Sequence, residues 1–173
     1  KLFTLDNDNT RPTLDRVKES VFNIIQNIIY ESVVLDLFAG SGAIGLEFLS
    51  RGAKKAIFCD SSKDAVNIIN KNIEKTHLRE NAEIYNMDYE KCLKNLTGQK
   101  FDIIYLDPPY KTDYIIKALN LIIEFELIDY NSTLIIETDE PERITLEIEK
   151  NKDINITNQR KYGRACIFFV KRV

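Results

Sequence analysis

The chain alternates short, continuous apolar runs with segments in which apolar residues recur every three or four positions. Continuous runs rich in β-branched residues predict buried strands, and the spacing of three or four predicts amphipathic helices. The predicted strands cover residues 33–38, 55–60, 82–88, 101–107, 132–138, 154–159 and 165–172. The predicted helices begin at Thr13 and after the glycine-rich segment of residues 39–45, and then cover 64–75, 89–96, 113–125 and 141–150.

The first of these helices is predicted from a single apolar face. Pro12 and Thr13 suit its start, since proline is favoured in the first turn and threonine can cap it. The residues assigned to the apolar face are Leu14, Val17, Val21, Ile25 and Ile28.

The alternation of strands and helices predicts the fold class. Alternating elements form βαβ units, which place helices on both faces of a mostly parallel sheet, here of seven strands. The last two strands are joined only by KYGR (161–164), which is too short for a crossover connection. We therefore expect an α/β fold that closes with a C-terminal antiparallel hairpin.

Length and composition indicate one globular domain. The chain has 173 residues, of which 44% are hydrophobic and 29% are charged. We expect an N-terminal segment and helix over 1–30 and a core over 31–173. No apolar run approaches the ~18 residues of a membrane span, and the KLFTLDNDN start does not resemble a signal peptide. Because no initiator Met is present, we expect the natural N-terminus to be missing.

Cysteine, histidine and charge exclude several function classes. Cys59, Cys92 and Cys166 are widely spaced and form no CxxC pair, so neither a zinc site nor a disulfide framework is predicted. His77 is the only histidine and lies among polar residues, so a catalytic dyad or triad built on histidine is not expected. The net charge of −3 argues against binding nucleic acid through overall charge.

A glycine-rich loop follows the first strand. Gly40, Gly42 and Gly45 form GxGxxG between that strand and a helix, where backbone can approach a ligand closely. A dinucleotide site is the first interpretation of this motif. Asp36, four residues before the first glycine, argues against it, since a carboxylate repels a pyrophosphate but suits a cationic amino group.

Two more acids end predicted strands. Asp60 ends the second strand, where an acid can accept hydrogen bonds from ribose hydroxyls. Asp88 ends the third, where it could accept from an adenine amine with Met87 or Tyr89 against the ring, or cap the following helix, or both. Carboxyl ends of parallel strands share one sheet edge, so we expect these acids, the glycine loop and residues 107–110 to meet there.

The DIIYLDPPY segment (102–110) ends a strand in a rigid turn. Two prolines cannot continue the strand, because they lack N–H donors. The carboxylate of Asp107 and the carbonyl of Pro108 are then two acceptors beside the flat ring of Tyr110. Such a group could hold the NH₂ of a planar base and stabilise the positive charge that grows on its nitrogen during attack. A structural turn is the alternative.

DLFAGSGAIGLE and DIIYLDPPY together resemble class I S-adenosylmethionine-dependent methyltransferases, whose fold is Rossmann-like. RPTLDRVKESVFNII (11–25) and KYGRACIFF (161–169) resemble the RsmD family of small-subunit ribosomal RNA guanine-N2 methyltransferases. The glycine and DPPY motifs are shared widely among methyltransferases, whereas these two segments indicate the family. The family usually starts with a short basic hairpin, where this chain has only KLFTLDNDN.

The resemblance implies a site for S-adenosylmethionine, with S-adenosylhomocysteine as product and no metal. It assigns the ribose to Asp60, the adenine amine to Asp88, and the target base to Asp107, Pro108, Pro109 and Tyr110. The other implied cofactor residues are Thr13, Asp36, Phe38, Gly40, Ser41, Gly42, Met87 and Asp107 itself. The basic residues expected to contact RNA are Arg11, Arg16, Lys111 and Arg164.

We therefore expect a cytoplasmic, monomeric rRNA methyltransferase that acts on the assembling small subunit and not at a membrane. An organelle is the alternative location if a targeting segment has been removed. The alternative functions are methylation of adenine N6 or of a protein glutamine, and a noncatalytic cofactor-binding module.

Overall fold

The computed structural model describes residues 1–5, 12–110 and 112–173, with the side chains of 12–14 left out. The chain divides into two compact units, Lys1–Asp88 and Tyr89–Val173. Each unit has its own strands and helices, and each contains one of the two predicted motifs.

Unit 1 contains three parallel strands. Their order is β3-β2-β1, and the register pairs Asp36 with Phe58 and Asp60 with Asn86. The carboxyl ends of the three strands therefore lie along one edge, as βαβ connections require. The elements of unit 1 are α1 (Pro12–Ile29), β1 (Val33–Asp36), α2 (Ala43–Ser50), β2 (Lys55–Asp60), α3 (Lys63–Thr76), a 3₁₀ turn (Arg79–Asn81) and β3 (Ala82–Asn86).

Unit 2 contains four strands in the order β4-β5-β7-β6. Strands β4 and β5 are parallel, whereas β7 is antiparallel to both β5 and β6. The elements of unit 2 are α4 (Tyr89–Asn95), β4 (Ile103–Leu106), α5 (Tyr114–Glu124), β5 (Thr133–Thr138), α6 (Pro141–Lys150), β6 (Ile154–Tyr162) and β7 (Ala165–Arg172). The predicted fold class is confirmed: the chain has a mostly parallel, seven-stranded α/β fold that ends in an antiparallel hairpin.

The C-terminal hairpin is tighter than predicted. Strand β6 continues to Tyr162, which pairs with Ala165, so the turn is Gly163 and Arg164 and not the whole KYGR segment. Gly163 has φ 59, which the first position of such a two-residue turn favours and which glycine adopts without strain.

The buried face of α1 differs from the predicted face at one position. Val17, Val21 and Ile25 are buried as expected, but Ile28 is 42% exposed. Ile29 is buried instead, because a helix of 3.6 residues per turn carries the face from Ile25 to its i+4 neighbour.

Strands β1, β3 and β4 are shorter than predicted. They end at Asp36, Asn86 and Leu106, so Phe38, Asp88 and Asp107 lie in the connections that follow. A strand ends where its neighbour stops offering ladder partners, and apolarity alone does not show that point.

The described chain also shows how its cysteines, its histidine and its helices are placed. Cys59, Cys92 and Cys166 are buried free thiols. His77 is exposed and ends α3 in the left-handed conformation, with φ 59. No helix in the described part of the chain is both long and apolar enough to cross a membrane.

Candidate functional site

The glycine loop between β1 and α2 has the backbone that its sequence predicts. Gly40 and Gly42 have φ 56 and φ 82, a region that side chains other than glycine rarely adopt. Gly45 packs so closely on Phe58 that an added Cβ would lie 2.3 Å from the ring. The first two glycines thus shape the loop, and the third lets α2 approach strand β2.

Asp36 is a buried carboxyl group beneath this loop. Its side chain accepts a hydrogen bond from the Gly45 N–H at 3.2 Å, and the residue is 2% exposed. Burial raises the pKa of Asp36 to about 7; the Gly45 hydrogen bond lowers this pKa and the charge of Asp60 raises it. A cationic partner would favour the ionised form, so Asp36 is suited to receive an amino group.

Asp60 ties the end of β2 to the glycine loop. Its Oδ2 accepts from the Gly40 N–H at 2.9 Å, and its Oδ1 accepts from the Ser62 N–H at 2.9 Å. Each carboxylate oxygen can accept more than one hydrogen bond. The half-buried Asp60 therefore keeps acceptor capacity for the hydroxyls of a ribose.

The end of β3 is held against the same edge. Asn86 donates its side-chain amide to the carbonyls of Asp60 and Ser61, at 3.0 and 3.3 Å. The Cys59 thiol donates to the carbonyl of Met87 at 3.4 Å. Asp88, one residue beyond, is exposed. These contacts place the segment predicted for adenine next to Asp60.

Sequence reasoning missed Asn72, which anchors the loop from α3. Asn72 is fully buried, and its side-chain amide donates to the carbonyls of Ser41 and Phe3, each at 2.9 Å. Its Oδ1 accepts from the Phe3 N–H at 2.6 Å. A polar residue next to Ile69 and Ile73 on an otherwise apolar helix face was the available signal.

The DPPY segment lies in unit 2, directly after β4. Pro108 is buried, whereas Asp107, Pro109 and Tyr110 are exposed, with Tyr110 at 57%. The Thr112 hydroxyl donates to the Pro109 carbonyl at 3.0 Å, which fixes the end of the turn. A carboxylate and an aromatic ring are therefore presented to solvent on a rigid backbone.

Sequence reasoning also missed Glu137, on the strand next to this segment. Glu137 is 6% exposed and forms a side-chain hydrogen bond with Asp107. An acid inside the run TLIIET (133–138), whose other side chains are apolar or threonine, was the available signal.

The remaining predicted residues are placed as follows. Phe38 and Ser41 in the glycine loop are half-buried, while Arg16 on α1 and Arg164 in the last turn are exposed. Thr13 lies in the first turn of α1, but its side chain is not described. The predictions for Arg11 and Lys111 lie outside the described residues.

The edge of unit 1 can act as a binding site for a cationic, ribose-bearing ligand. Asp36, the glycine loop and Asp60 lie together there and are joined through the Gly40 and Gly45 amides. Among residues 1–5, 12–110 and 112–173, no group of three or more His, Cys, Asp or Glu could hold a metal ion.

Known proteins share both the sequence and the fold. Ribosomal RNA small subunit methyltransferase D of Haemophilus influenzae is 38% identical over 162 residues, covering 89% of this chain and 84% of that protein. A solved structure named as a conserved hypothetical protein of Streptococcus pyogenes has a TM-score of 0.78 at 28% identity, covering 90% of this chain and 95% of that one.

A more distant structure shares the fold alone. SMU.776, solved in complex with SAH, has a TM-score of 0.75 at 20% identity, covering 89% of this chain and 49% of that chain. The family described as Conserved hypothetical protein 95 matches residues 1–171. With that match over nearly its whole length, the chain belongs to the Conserved hypothetical protein 95 family.

Proposed function

We propose that this protein is an S-adenosylmethionine-dependent methyltransferase that modifies ribosomal RNA, at the N2 amine of a guanine in the small subunit. The observation that carries the proposal is a pair of hydrogen bonds after β1: the Gly40 N–H in the glycine loop donates to Asp60, and the Gly45 N–H in the first turn of α2 donates to Asp36. Membership of the family and the name of the Haemophilus influenzae relative support the RNA substrate.

The chemistry of the unit 1 residues fits S-adenosylmethionine. Asp36 would pair with the cationic amino group, and Asp60 would accept from the ribose hydroxyls. Asp88 would accept from the adenine amine, beside Met87. Phe38, Ser41 and Gly42 would line the methionine and ribose part. The SAH in SMU.776, a protein of the same fold, supports this choice of ligand.

The DPPY segment would hold the base. Asp107 and the carbonyl of Pro108 would accept from the exocyclic amine, and the exposed ring of Tyr110 would stack on the base. The bound cofactor supplies an electrophilic methyl group. Both acceptors stabilise the positive charge that develops on the amine nitrogen, so no strong base is required at that step.

The target base must leave its stack to reach these groups, because a stacked guanine hides its amine from a rigid turn. Arg16 and Arg164, both exposed, are candidates for contacts with RNA phosphates. With a net charge of −3 the protein is not a general RNA binder, which favours an assembling small subunit as the substrate. We further propose a monomer that acts in the cytoplasm.

One experiment tests the substrate. The protein is incubated with methyl-labelled S-adenosylmethionine and small subunits from cells lacking the endogenous activity, and the labelled nucleoside is mapped. We expect label in N2-methylguanosine of the small-subunit rRNA. Label in N6-methyladenosine or in protein glutamine would replace the guanine assignment with one of the alternative substrates.

A variant tests the role of the DPPY segment. Asp107→Ala should abolish transfer while S-adenosylmethionine still binds, since every proposed cofactor residue except Asp107 itself lies in unit 1 and is unchanged. Glu149→Ala, an exposed acid on α6, is the matched control and should transfer at the normal rate. Normal transfer by Asp107→Ala would refute the role assigned to the segment.

A further inference from the structure

Glu137 is an ionisable group buried next to the DPPY segment. It is 6% exposed, and Tyr105 on β4, itself 1% exposed, donates its hydroxyl to Glu137 Oε2 at 3.2 Å. No lysine or arginine within the described ranges forms an ion pair with Glu137. An ionised carboxylate that is buried beside a neutral hydrogen-bond donor is energetically costly, so the protonated form of Glu137 is favoured.

The second partner of Glu137 is Asp107. Strands β4 and β5 run parallel with Leu106 opposite Ile136, so the next residues along each strand are neighbours at the same end. The two side chains form a hydrogen bond. Ionised carboxylates only accept hydrogen bonds, so a bond between two carboxyl groups requires one proton.

Burial decides which of the two groups keeps that proton. Asp107 is exposed and can be solvated as an anion, whereas Glu137 cannot. Burial raises the pKa of Glu137, and the hydroxyl that Tyr105 donates to its carboxyl group offsets part of that rise. On β7, Ile167 lies opposite Glu137 and the buried Cys166 lies opposite Thr138. Cys166, paired with Thr138, therefore projects from the other face of the sheet, and the titratable groups that contact Glu137 among the described residues are Tyr105 and Asp107.

We propose that Glu137 is a positioning residue that stays protonated and donates its proton to Asp107, which fixes the Asp107 carboxylate as an acceptor for the amine of the substrate. This inference rests on the proposed function. The hydrogen bond that Glu137 donates occupies one acceptor site of the Asp107 carboxylate and prevents that carboxylate from rotating. The remaining acceptor sites then keep one direction when the base arrives, and the pair carries one negative charge in place of two.

The proton balance of the transfer follows from this arrangement. The amine nitrogen forms a bond to the methyl carbon, and the electron pair of the broken carbon–sulfur bond stays on sulfur. The methylated nitrogen carries a surplus proton, which passes to the Asp107 carboxylate and then to water. Glu137 keeps its own proton throughout, so it takes part only through Asp107.

The first test does not depend on activity. The ¹³C chemical shift of the Glu137 carboxyl is followed by NMR in the unaltered protein as pH rises, and infrared spectra at pH 7 compare the wild type with Glu137→Gln. We expect a protonated Glu137 shift at pH 7 and the loss of one carboxylic acid band in the variant. Glu149→Gln, exposed on α6, should leave that band in place. An ionised Glu137 at pH 7 would refute the proposal.

The second test compares two variants in methyl transfer to small subunits. The amide of Glu137→Gln can still donate to Asp107 and accept from Tyr105, so kcat at pH 7 should stay within about threefold of wild type. Wild-type activity should fall at alkaline pH as Glu137 ionises, and this fall should be absent in Glu137→Gln. Glu137→Leu cannot donate, and should lose about 100-fold in kcat with the Kd for S-adenosylmethionine unchanged.

Two results separate this inference from the proposed function. If wild type transfers no methyl to rRNA, the proposed function fails, and the NMR result still decides the protonation of Glu137. If wild type is active but both variants share its pH profile and rate, the positioning role is refuted. A merely structural role would lower Tm in both variants without separating their pH profiles.

Discussion

The Gly40 N–H donates a hydrogen bond to the Asp60 carboxylate at 2.9 Å. An acid at the end of β2 therefore holds the loop that follows the neighbouring strand, β1. The same carboxylate accepts from Ser62 through its other oxygen. Asp60 therefore orders the glycine loop and would also bind the ribose, which makes the site partly preorganised.

Removing this carboxylate should weaken cofactor binding. We expect Asp60→Ala to raise the Kd for S-adenosylmethionine about 10- to 100-fold, since hydrogen bonds to charged groups contribute about 1.5–3 kcal/mol. Isothermal titration calorimetry measures the change. Asp64→Ala, an exposed acid on α3, is the control and should bind normally. An unchanged Kd in Asp60→Ala would exclude Asp60 from the cofactor site.

The affinity for S-adenosylmethionine should depend on pH through Asp36. Because its pKa is about 7, Asp36 is neutral below that pH and offers no charge to a cationic amino group. Affinity should rise between about pH 5 and 7, by up to tenfold per pH unit, and level off above. Titrations across this range check the slope. Asp36→Asn should bind weakly with no such slope, and a wild-type affinity independent of pH would contradict the role of Asp36.

Asp36 should also make unfolding depend on pH. Its pKa is 3.8 when exposed and about 7 in the folded chain, so the folded state binds more protons between these values and stability falls as pH rises through them. The fully buried Asn of Asp36→Asn does not titrate. From pH 4 to 7 the variant should therefore gain up to about 4 kcal/mol over wild type in urea unfolding. A constant difference would place the Asp36 pKa near its ordinary value.

The sequence predicted the grouping of residues at the ends of β1 and β2 better than it predicted the contacts that support them. Asp36, the glycine loop and Asp60 carry a local pattern of strand, turn and helix, and they lie together as expected. Asn72 lies more than thirty residues along the chain from Ser41, which it binds. Such a pairing depends on how α3 packs, and a single sequence contains only the weak signal of a polar residue on an apolar face.

Element boundaries show the same limit. The bounds of β2 and α6 match the prediction, because Asp60 at the end of β2 and Pro141 at the start of α6 are recognisable from the local sequence. Strand β6 extends three residues further than predicted, since the ladder with β7 continues through polar residues to Tyr162. The length of β6 is set by its hydrogen bonds to the partner strand, and a local sequence pattern contains no information about that partner.

The close approach of α2 to β2 should make Gly45 intolerant of a side chain. In Gly45→Ala the new Cβ would meet the Phe58 ring at 2.3 Å, and Phe58 is fully buried. Overpacking costs about 1–3 kcal/mol, and we expect this cost to exceed the gain from the higher helix propensity of alanine. Urea unfolding of Gly45→Ala should therefore show a lower free energy of unfolding than wild type. In a Phe58→Leu background the same substitution should cost at least about 1 kcal/mol less. Equal costs in both backgrounds would mean that the ring does not limit the site.

Asn72 should couple the N-terminal segment to the glycine loop. Its side chain forms hydrogen bonds with the N–H and the carbonyl of Phe3 and with the carbonyl of Ser41. Because the Asn72 side chain is fully buried, water could replace it only if the surrounding structure rearranged. We expect Asn72→Ala to lower the free energy of unfolding by about 1–3 kcal/mol through these unsatisfied groups. The Phe3 amide should lose its protection from hydrogen exchange, and the Kd for S-adenosylmethionine should rise because Ser41 is released.

Asn67→Ala on the exposed side of the same helix separates this coupling from a general loss of helix stability. It makes the same change of residue type on α3, so it should leave Phe3 exchange and cofactor affinity near wild type. If Asn72→Ala exposes the Phe3 amide but binds S-adenosylmethionine normally, then the glycine loop holds its shape through Asp36 and Asp60 alone. A rise in Kd that accompanies the loss of Phe3 protection instead makes Asn72 part of the cofactor site, acting through Ser41.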